Sequence, residues 1–120
     1  VRRGAQLHLA LDHGPPVSGH RPSVDVMFKS VAKACGPRSV GVIMTGMGRD
    51  GAEGIVELHK AGAHTIAQDE ETSLVYGMPK AAKDTGCVGH IVALPQVPTT
   101  IAKLMMGGTR RDAAEAREVR

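Results

Sequence analysis

Residues 40–52 read VGVIMTGMGRDGA, a short apolar run followed at once by a glycine-rich turn. The run at residues 40–44 carries no charged side chain, which is typical of a strand buried on both faces of a parallel sheet. Apolar residues at helical spacing begin at Ala52, so the turn joins a buried strand to a helix. The sequence therefore predicts a strand–turn–helix unit with the turn at the carboxyl end of the strand.

The same alternation of strand and helix extends in both directions from this unit. Upstream, apolar residues at helical spacing between Val24 and Cys35 predict a helix with Ser23 as its N-cap. Downstream, we expect two strands, at residues 64–67 and 88–94. We also expect two helices, which begin near Gly77 and at Pro98. The βαβαβα order predicts an α/β fold with a doubly wound, mainly parallel sheet of the flavodoxin or Rossmann-like three-layer kind.

The first residues of the chain also have the pattern of a strand. Leu7, Leu9 and Leu11 alternate with other side chains, which predicts an antiparallel edge strand with one buried face. Because this pattern begins so close to Val1, we expect a fragment with an incomplete sheet and an unpaired edge. We expect residues 1–106 to be part of one domain and residues 107–120 to be a charged, disordered tail.

Composition excludes several classes of function. Phe28 and Tyr76 are the only aromatic residues, and the net charge is +3 with the basic residues spread along the chain. Nucleic-acid binding is therefore not expected.

No apolar run approaches the roughly 18 residues of a membrane span, so no membrane insertion is expected. Cys35 and Cys87 match no metal or redox spacing and indicate free thiols in a reducing cytoplasm. The histidines have no metal-ligand spacing, so no metal is predicted.

The glycine-rich turn permits two functional interpretations. In the first, Gly46, Gly48 and Gly51 form a G-x-G-x-x-G dinucleotide motif, and Asp69 ends the next strand where a ribose-binding acid would lie. Asp50 argues against this interpretation because its charge would repel a pyrophosphate at the helix N-terminus.

In the second interpretation Asp50 is itself the functional group. A carboxylate on a tight turn can orient a histidine and stabilise the imidazolium that forms during acyl transfer. The simpler alternative is that Asp50 only caps a helix, which is the commoner role for an aspartate at this position.

Four segments carry a resemblance to a known family. They are GHRPSVDVMF at 19–28, GVIMTGMGRDGA at 41–52, AQDE at 67–70 and VYGMPKAA at 75–82. In this order and separation they resemble segments of the chemotaxis protein-glutamate methylesterase family, the CheB type. The similarity extends from about residue 5 to about residue 105.

The resemblance implies a cytoplasmic hydrolase that removes methyl groups from glutamate methyl esters on chemoreceptors and in many cases deamidates receptor glutamines. It implies a Ser-His-Asp triad in which Asp50 is the aspartate, an oxyanion hole that includes the Met47 backbone N–H, and no cofactor. It also implies four further residues near the cleft: Thr45, Gly46, Gly48 and His20.

The chain departs from the family in what it lacks. The family's serine and histidine lie upstream of anything comparable to Val1, and Ser18, Ser23, Ser30, Ser39 and Ser73 have no G-x-S-x-G setting. Residues 1–106 are therefore predicted to be the C-terminal portion of a methylesterase catalytic domain, inactive alone. The expected partners are chemoreceptor cytoplasmic helices and, in a complete protein, a phosphorylatable receiver domain. The alternative is a non-catalytic interaction module.

Overall fold

The computed structural model describes residues 1–17 and 19–107, so Ser18 and residues 108–120 of the expected tail lie outside the described residues. The strands are β1 Arg2–Arg3, β2 Gln6–Leu7, β3 Val40–Ile43, β4 His64–Gln68 and β5 His90–Val92. The helices are α1 Val24–Cys35, α2 Ala52–Lys60, α3 Met78–Asp84 and α4 Val97–Met106. Short 3₁₀ turns occupy Gly36–Arg38 and Leu94–Gln96.

Three strands form a parallel sheet in the order β3-β4-β5. All five residues of β4 are buried, because this strand is flanked on both sides and packs against helices. The predicted α/β fold with a parallel sheet is confirmed. Strand β5 is shorter than predicted, since a 3₁₀ turn begins at Leu94. Within the described residues, β3 and β5 are the two edge strands of this sheet.

The predicted N-terminal strand is wrong beyond Leu7. Strands β1 and β2 pair antiparallel in a separate two-stranded sheet, joined through Gly4 at φ 62°, and do not extend the parallel sheet. Leu9 is fully exposed and Leu11 nearly so. Alternating leucines define an apolar face, but burial requires a surface that covers it. Here the leucines border a groove of about 610 Å³ between α1 and residues 1–17, which we call the N-terminal arm.

Helices α1 and α2 approach each other closely at Gly54. A Cβ at this position would lie 2.6 Å from Phe28 Cβ and 3.2 Å from Asp25 Oδ1. Phe28 belongs to the buried core, together with Ile55 and Leu58 on α2 and Ile43 on β3. The absence of a side chain at Gly54 therefore sets how α1 lies against α2.

We expect Gly54→Ala to lower the free energy of unfolding by about 1–3 kcal/mol, the usual range for overpacking. In an ordinary helix interior, glycine to alanine would raise the free energy of unfolding by about 1 kcal/mol. The sign of the measured change therefore shows whether the two helices are in close contact at Gly54. Urea unfolding of the chain measures the effect. Gly89→Ala is the matched control, because a Cβ at Gly89 would meet only ordinary contacts, the nearest at 3.6 Å. A stabilised Gly54→Ala protein would contradict this packing.

Candidate active site

The glycine-rich turn lies where the sequence predicts it, between the carboxyl end of β3 and the start of α2. Gly48 and Gly51 have φ values of 91° and 98°, in the left-handed region that favours glycine. A Cβ at Gly51 would also lie 2.6 Å from Ile43 Cδ1. The chain can therefore reverse tightly here and present Asp50 just before the helix.

A second segment, residues 75–78, holds the start of this turn. Gly46 N–H donates to the Val75 carbonyl oxygen at 3.0 Å, and Met78 N–H donates to the Gly46 carbonyl oxygen at 2.8 Å. Gly77 packs so closely that a Cβ there would lie 2.8 Å from the Gly46 oxygen. Two of the four sequence segments singled out above, at 41–52 and 75–82, are therefore adjacent in space.

Gln68 fixes the turn from the neighbouring strand β4, a role that the sequence did not reveal. Its Oε1 accepts a hydrogen bond from Thr45 N–H at 2.8 Å, and its Nε2 donates to the Thr72 carbonyl oxygen at 2.8 Å. The side chain is almost wholly buried. A glutamine at the end of a buried strand is the sequence feature that could have indicated this role, because a buried side-chain amide needs hydrogen-bond partners.

The Asp50 carboxylate turns toward the N-terminus of α1. Its Oδ1 accepts hydrogen bonds from Ser23 Oγ at 2.9 Å and Asp25 N–H at 3.1 Å. Its Oδ2 accepts one from Val24 N–H at 2.7 Å. Asp50 is 4% exposed, so this carboxylate is buried, and both of its oxygens accept hydrogen bonds. It caps α1 rather than α2, the helix that follows it in sequence.

These contacts control the ionisation of Asp50. Burial alone would raise the pKa of the carboxyl group, because a charge is poorly solvated there. Hydrogen bonds from Val24, Asp25 and Ser23, together with the nearby His20, outweigh that effect and hold the pKa below 3.8. The carboxylate is therefore ionised at neutral pH.

One acceptor position on Asp50 remains open. A carboxylate has about four lone-pair sites, two on each oxygen. Oδ1 uses both of its sites, and among the described residues only Val24 N–H donates to Oδ2. A further donor that reaches Oδ2 would complete the coordination of this group.

Met47 is an exposed residue of the turn. Its side chain is 79% exposed. Within residues 1–17 and 19–107, no group accepts a hydrogen bond from the Met47 backbone N–H. Such an N–H on a glycine-flanked turn can donate to an oxyanion that approaches from solvent.

The residues expected near the cleft fall into two groups. Thr45, Gly46 and Gly48 belong to the turn and do not line the 610 Å³ groove. His20 does line that groove and lies near enough to Asp50 to lower its pKa. Of these four residues, His20 is thus the one that lines the groove and also acts on the charge of Asp50.

Two observations bear on other kinds of site. Across residues 1–17 and 19–107, no three histidine, cysteine, aspartate or glutamate side chains are grouped so that they could hold a metal ion. None of the helices in the same residues has the length and apolarity needed to cross a membrane.

The match to known proteins extends over most of the chain. The family model described as CheB methylesterase matches residues 1–101. A protein of Rhodopseudomonas palustris (strain BisB18), named protein-glutamate methylesterase/protein-glutamine glutaminase 3, is 55% identical over 100 residues. That alignment covers 83% of this chain and 28% of the relative. A similarly named protein of Hahella chejuensis is 50% identical over 114 residues, which cover 95% of this chain and 30% of the relative.

A solved structure shows the same similarity in three dimensions. The crystal structure of the Thermotoga maritima CheB methylesterase catalytic domain matches with a TM-score of 0.76 and 31% sequence identity. The match covers 78% of this chain and 49% of that one. The chain therefore spans less than a third of the two curated relatives named above and about half of the solved domain.

Proposed function

The chain belongs to the CheB methylesterase family, and on that premise we propose that it supplies one part of the active site of a protein-glutamate methylesterase. Its part is the orienting carboxylate of Asp50 and the oxyanion-binding N–H of Met47. Similarity to less than a third of each curated relative supports the view that other residues of a longer protein supply the serine and the histidine. The substrate would be a methylated glutamate on a chemoreceptor helix.

The observation that carries the proposal is the coordination of Asp50. Three donors keep this carboxylate ionised and fixed just before α2, and an acceptor position on Oδ2 stays open among the described residues. A histidine that donates its Nδ1–H to Oδ2 would be held in one tautomer and one orientation. The same contact would stabilise the imidazolium form of that histidine.

The reaction then follows from the roles of these groups. The serine oxygen attacks the ester carbonyl carbon while the histidine takes the serine proton. The Met47 N–H donates to the developing oxyanion, a contact worth about 3–4 kcal/mol in hydrolases where such a donor was removed. Collapse of the tetrahedral intermediate expels methanol, which takes the proton from the histidine. Water hydrolyses the acyl-enzyme by the same relay and leaves a glutamate carboxylate; attack on a glutamine amide would release ammonia instead.

The experiment that tests the proposal compares two proteins. We expect the 120 residues alone to release no methanol from methylated chemoreceptor above background, because loss of triad members costs about 10⁴-fold or more. We expect the complete product of the same reading frame to release methanol catalytically. Its upstream codons should encode a serine in a G-x-S-x-G setting and a histidine. Methanol release by the 120 residues, or an inactive complete protein without that serine, would overturn the proposal.

A non-catalytic interaction module remains the alternative outcome of this experiment. It would be indicated by a complete protein that binds chemoreceptor cytoplasmic domain in a pull-down assay but leaves the methyl esters intact. No catalytic serine setting occurs in the 120 residues themselves, so the upstream sequence decides between the two.

A further inference from the structure

Helices α1 and α2 exchange the groups that cap their N-termini. The Asp50 carboxylate precedes α2, yet it accepts hydrogen bonds from Val24 N–H and Asp25 N–H in the first turn of α1. In return, Asp25 on α1 accepts a hydrogen bond from Gly54 N–H in the first turn of α2, at 2.8 Å from Oδ1. Asp25 is 1% exposed. The N-terminus of each helix is therefore capped by a carboxylate that lies at the beginning of the other helix.

Neither helix has a conventional cap that could replace this exchange. Ser23 is at the N-cap position of α1, as predicted, but its side chain makes no capping bond to its own helix and donates to Asp50 Oδ1 instead. The N-cap of α2 is Gly51, which has no side chain. The N–H groups of a first helical turn need acceptors. The two carboxylates thus satisfy donors that would otherwise be buried without partners.

The exchange fixes Asp50 relative to α1 in two ways. Ser23, Val24 and Asp25 hold its oxygens directly. The Asp25–Gly54 bond holds the start of α2, and with it the turn that carries Asp50, against α1. Displacement of α2 along α1 would break both sets of bonds at once.

From this geometry we propose that Asp25 and Ser23 are positioning residues that fix the Asp50 carboxylate for the relay. The predicted effect on catalysis rests on the proposed function. The predicted effect on the position and ionisation of Asp50 does not depend on that function. Asp25 acts through α2 and Ser23 acts through a direct hydrogen bond. The inference gives neither residue a direct contact with the substrate, the serine or the histidine.

The test uses two substitutions of Asp25 in the complete protein. Asn and Ala both remove the charge, but only Asn keeps an oxygen that can accept from Gly54 N–H. We expect Asp25→Ala to lower kcat for methanol release about 10-fold relative to Asp25→Asn, with KM equal within about two-fold, because a small displacement of an orienting group costs rate rather than binding. Equal kcat values for the two variants would overturn the proposal.

Lys29→Ala is the matched control. Lys29 and Glu53 join the same two helices through a salt bridge at 3.1 Å between exposed side chains, which take no part in the cap hydrogen bonds. We expect Lys29→Ala to leave kcat and KM unchanged, since such surface pairs contribute little to stability. A fall in kcat equal to that of Asp25→Ala would mean that any weakened contact between α1 and α2 has this effect, which would contradict a specific role for the caps.

A second readout separates this inference from the proposed function. Carbon-13 NMR titration of the Asp50 carboxyl group follows its ionisation whether or not the protein is an esterase. We expect the pKa of Asp50 to rise in Ser23→Ala, because a hydrogen bond to the charged form is lost. An unchanged pKa in Ser23→Ala would overturn the role of Ser23. A raised pKa in a protein without esterase activity would support the positioning and refute the proposed function.

Discussion

Replacing Asp50 with asparagine in the complete protein is expected to lower kcat for methanol release about 10⁴-fold, with little change in KM. The size follows from hydrolases in which the same change at the triad aspartate leaves the geometry intact but favours the wrong histidine tautomer. An amide presents one oxygen instead of two, and its NH₂ group cannot accept hydrogen bonds. The variant would therefore lose both the orientation of the histidine and the stabilisation of its charged form.

Asp84→Asn is the control for this substitution. Asp84 is an exposed residue of α3 whose carboxylate pairs with Lys80 at 3.0 Å. We expect its loss to leave kcat unchanged. A kcat for Asp50→Asn within about ten-fold of the unsubstituted protein would show that Asp50 only caps α1.

The same substitution has an effect on stability that depends on pH. Loss of hydrogen bonds to a buried charge is expected to lower the free energy of unfolding by about 1–3 kcal/mol at pH 7. The pKa of Asp50 is lower in the folded chain than the unfolded value of 3.8. Its stabilising contribution is therefore complete above pH 3.8 and is lost as pH falls through the folded pKa. Urea unfolding should show the difference between the two proteins shrinking in that acidic range.

Replacing Ile55 with alanine is expected to lower the free energy of unfolding by about 2–5 kcal/mol, the range for large-to-small changes in cores. Ile55 is completely buried on the inner face of α2, and its Cδ1 lies close to Gly41 on β3. A cavity there would loosen α2 against the sheet and the turn that carries Asp50. Alanine favours helix more than isoleucine does, so a loss of stability can only come from packing.

Ile91→Ala is the matched control, because Ile91 lies on β5 and is 47% exposed. We expect a loss of about 1 kcal/mol or less for that change. Urea unfolding of both variants gives the comparison. Equal losses would mean that α2 does not pack as described.

The central strands and helices could be predicted from the sequence because their patterns are local. An apolar run at residues 40–43 and helical spacing from Ala52 each identify their own element, and the structure places β3 and α2 there. The same approach gave a wrong prediction for the N-terminal arm. Alternation at Leu9 and Leu11 describes a face, whereas burial depends on what other parts of a molecule cover it, which is not encoded locally.

The surroundings of Asp50 illustrate what local patterns cannot show. The sequence singled out Asp50 and offered helix capping as the simple alternative, and the carboxylate does cap a helix. It caps α1, however, through Ser23, Val24 and Asp25, which precede it in the chain by 25 to 27 positions. Such a contact depends on how two helices pack, and so does the return contact from Gly54 to Asp25. Spacing along the chain contains no signal for either one. Capping and catalysis are compatible here because an acceptor position on Oδ2 stays open among the described residues.

A crystal structure of the complete catalytic domain would test the central claim most directly. The quantity to measure is the distance from Asp50 Oδ2 to the nearest histidine ring nitrogen. We predict a hydrogen bond of about 2.6–3.2 Å from a histidine that also contacts the serine of a G-x-S-x-G turn. A histidine–serine pair that is oriented by another carboxylate, with Asp50 bound only to Ser23, Val24 and Asp25, would contradict it.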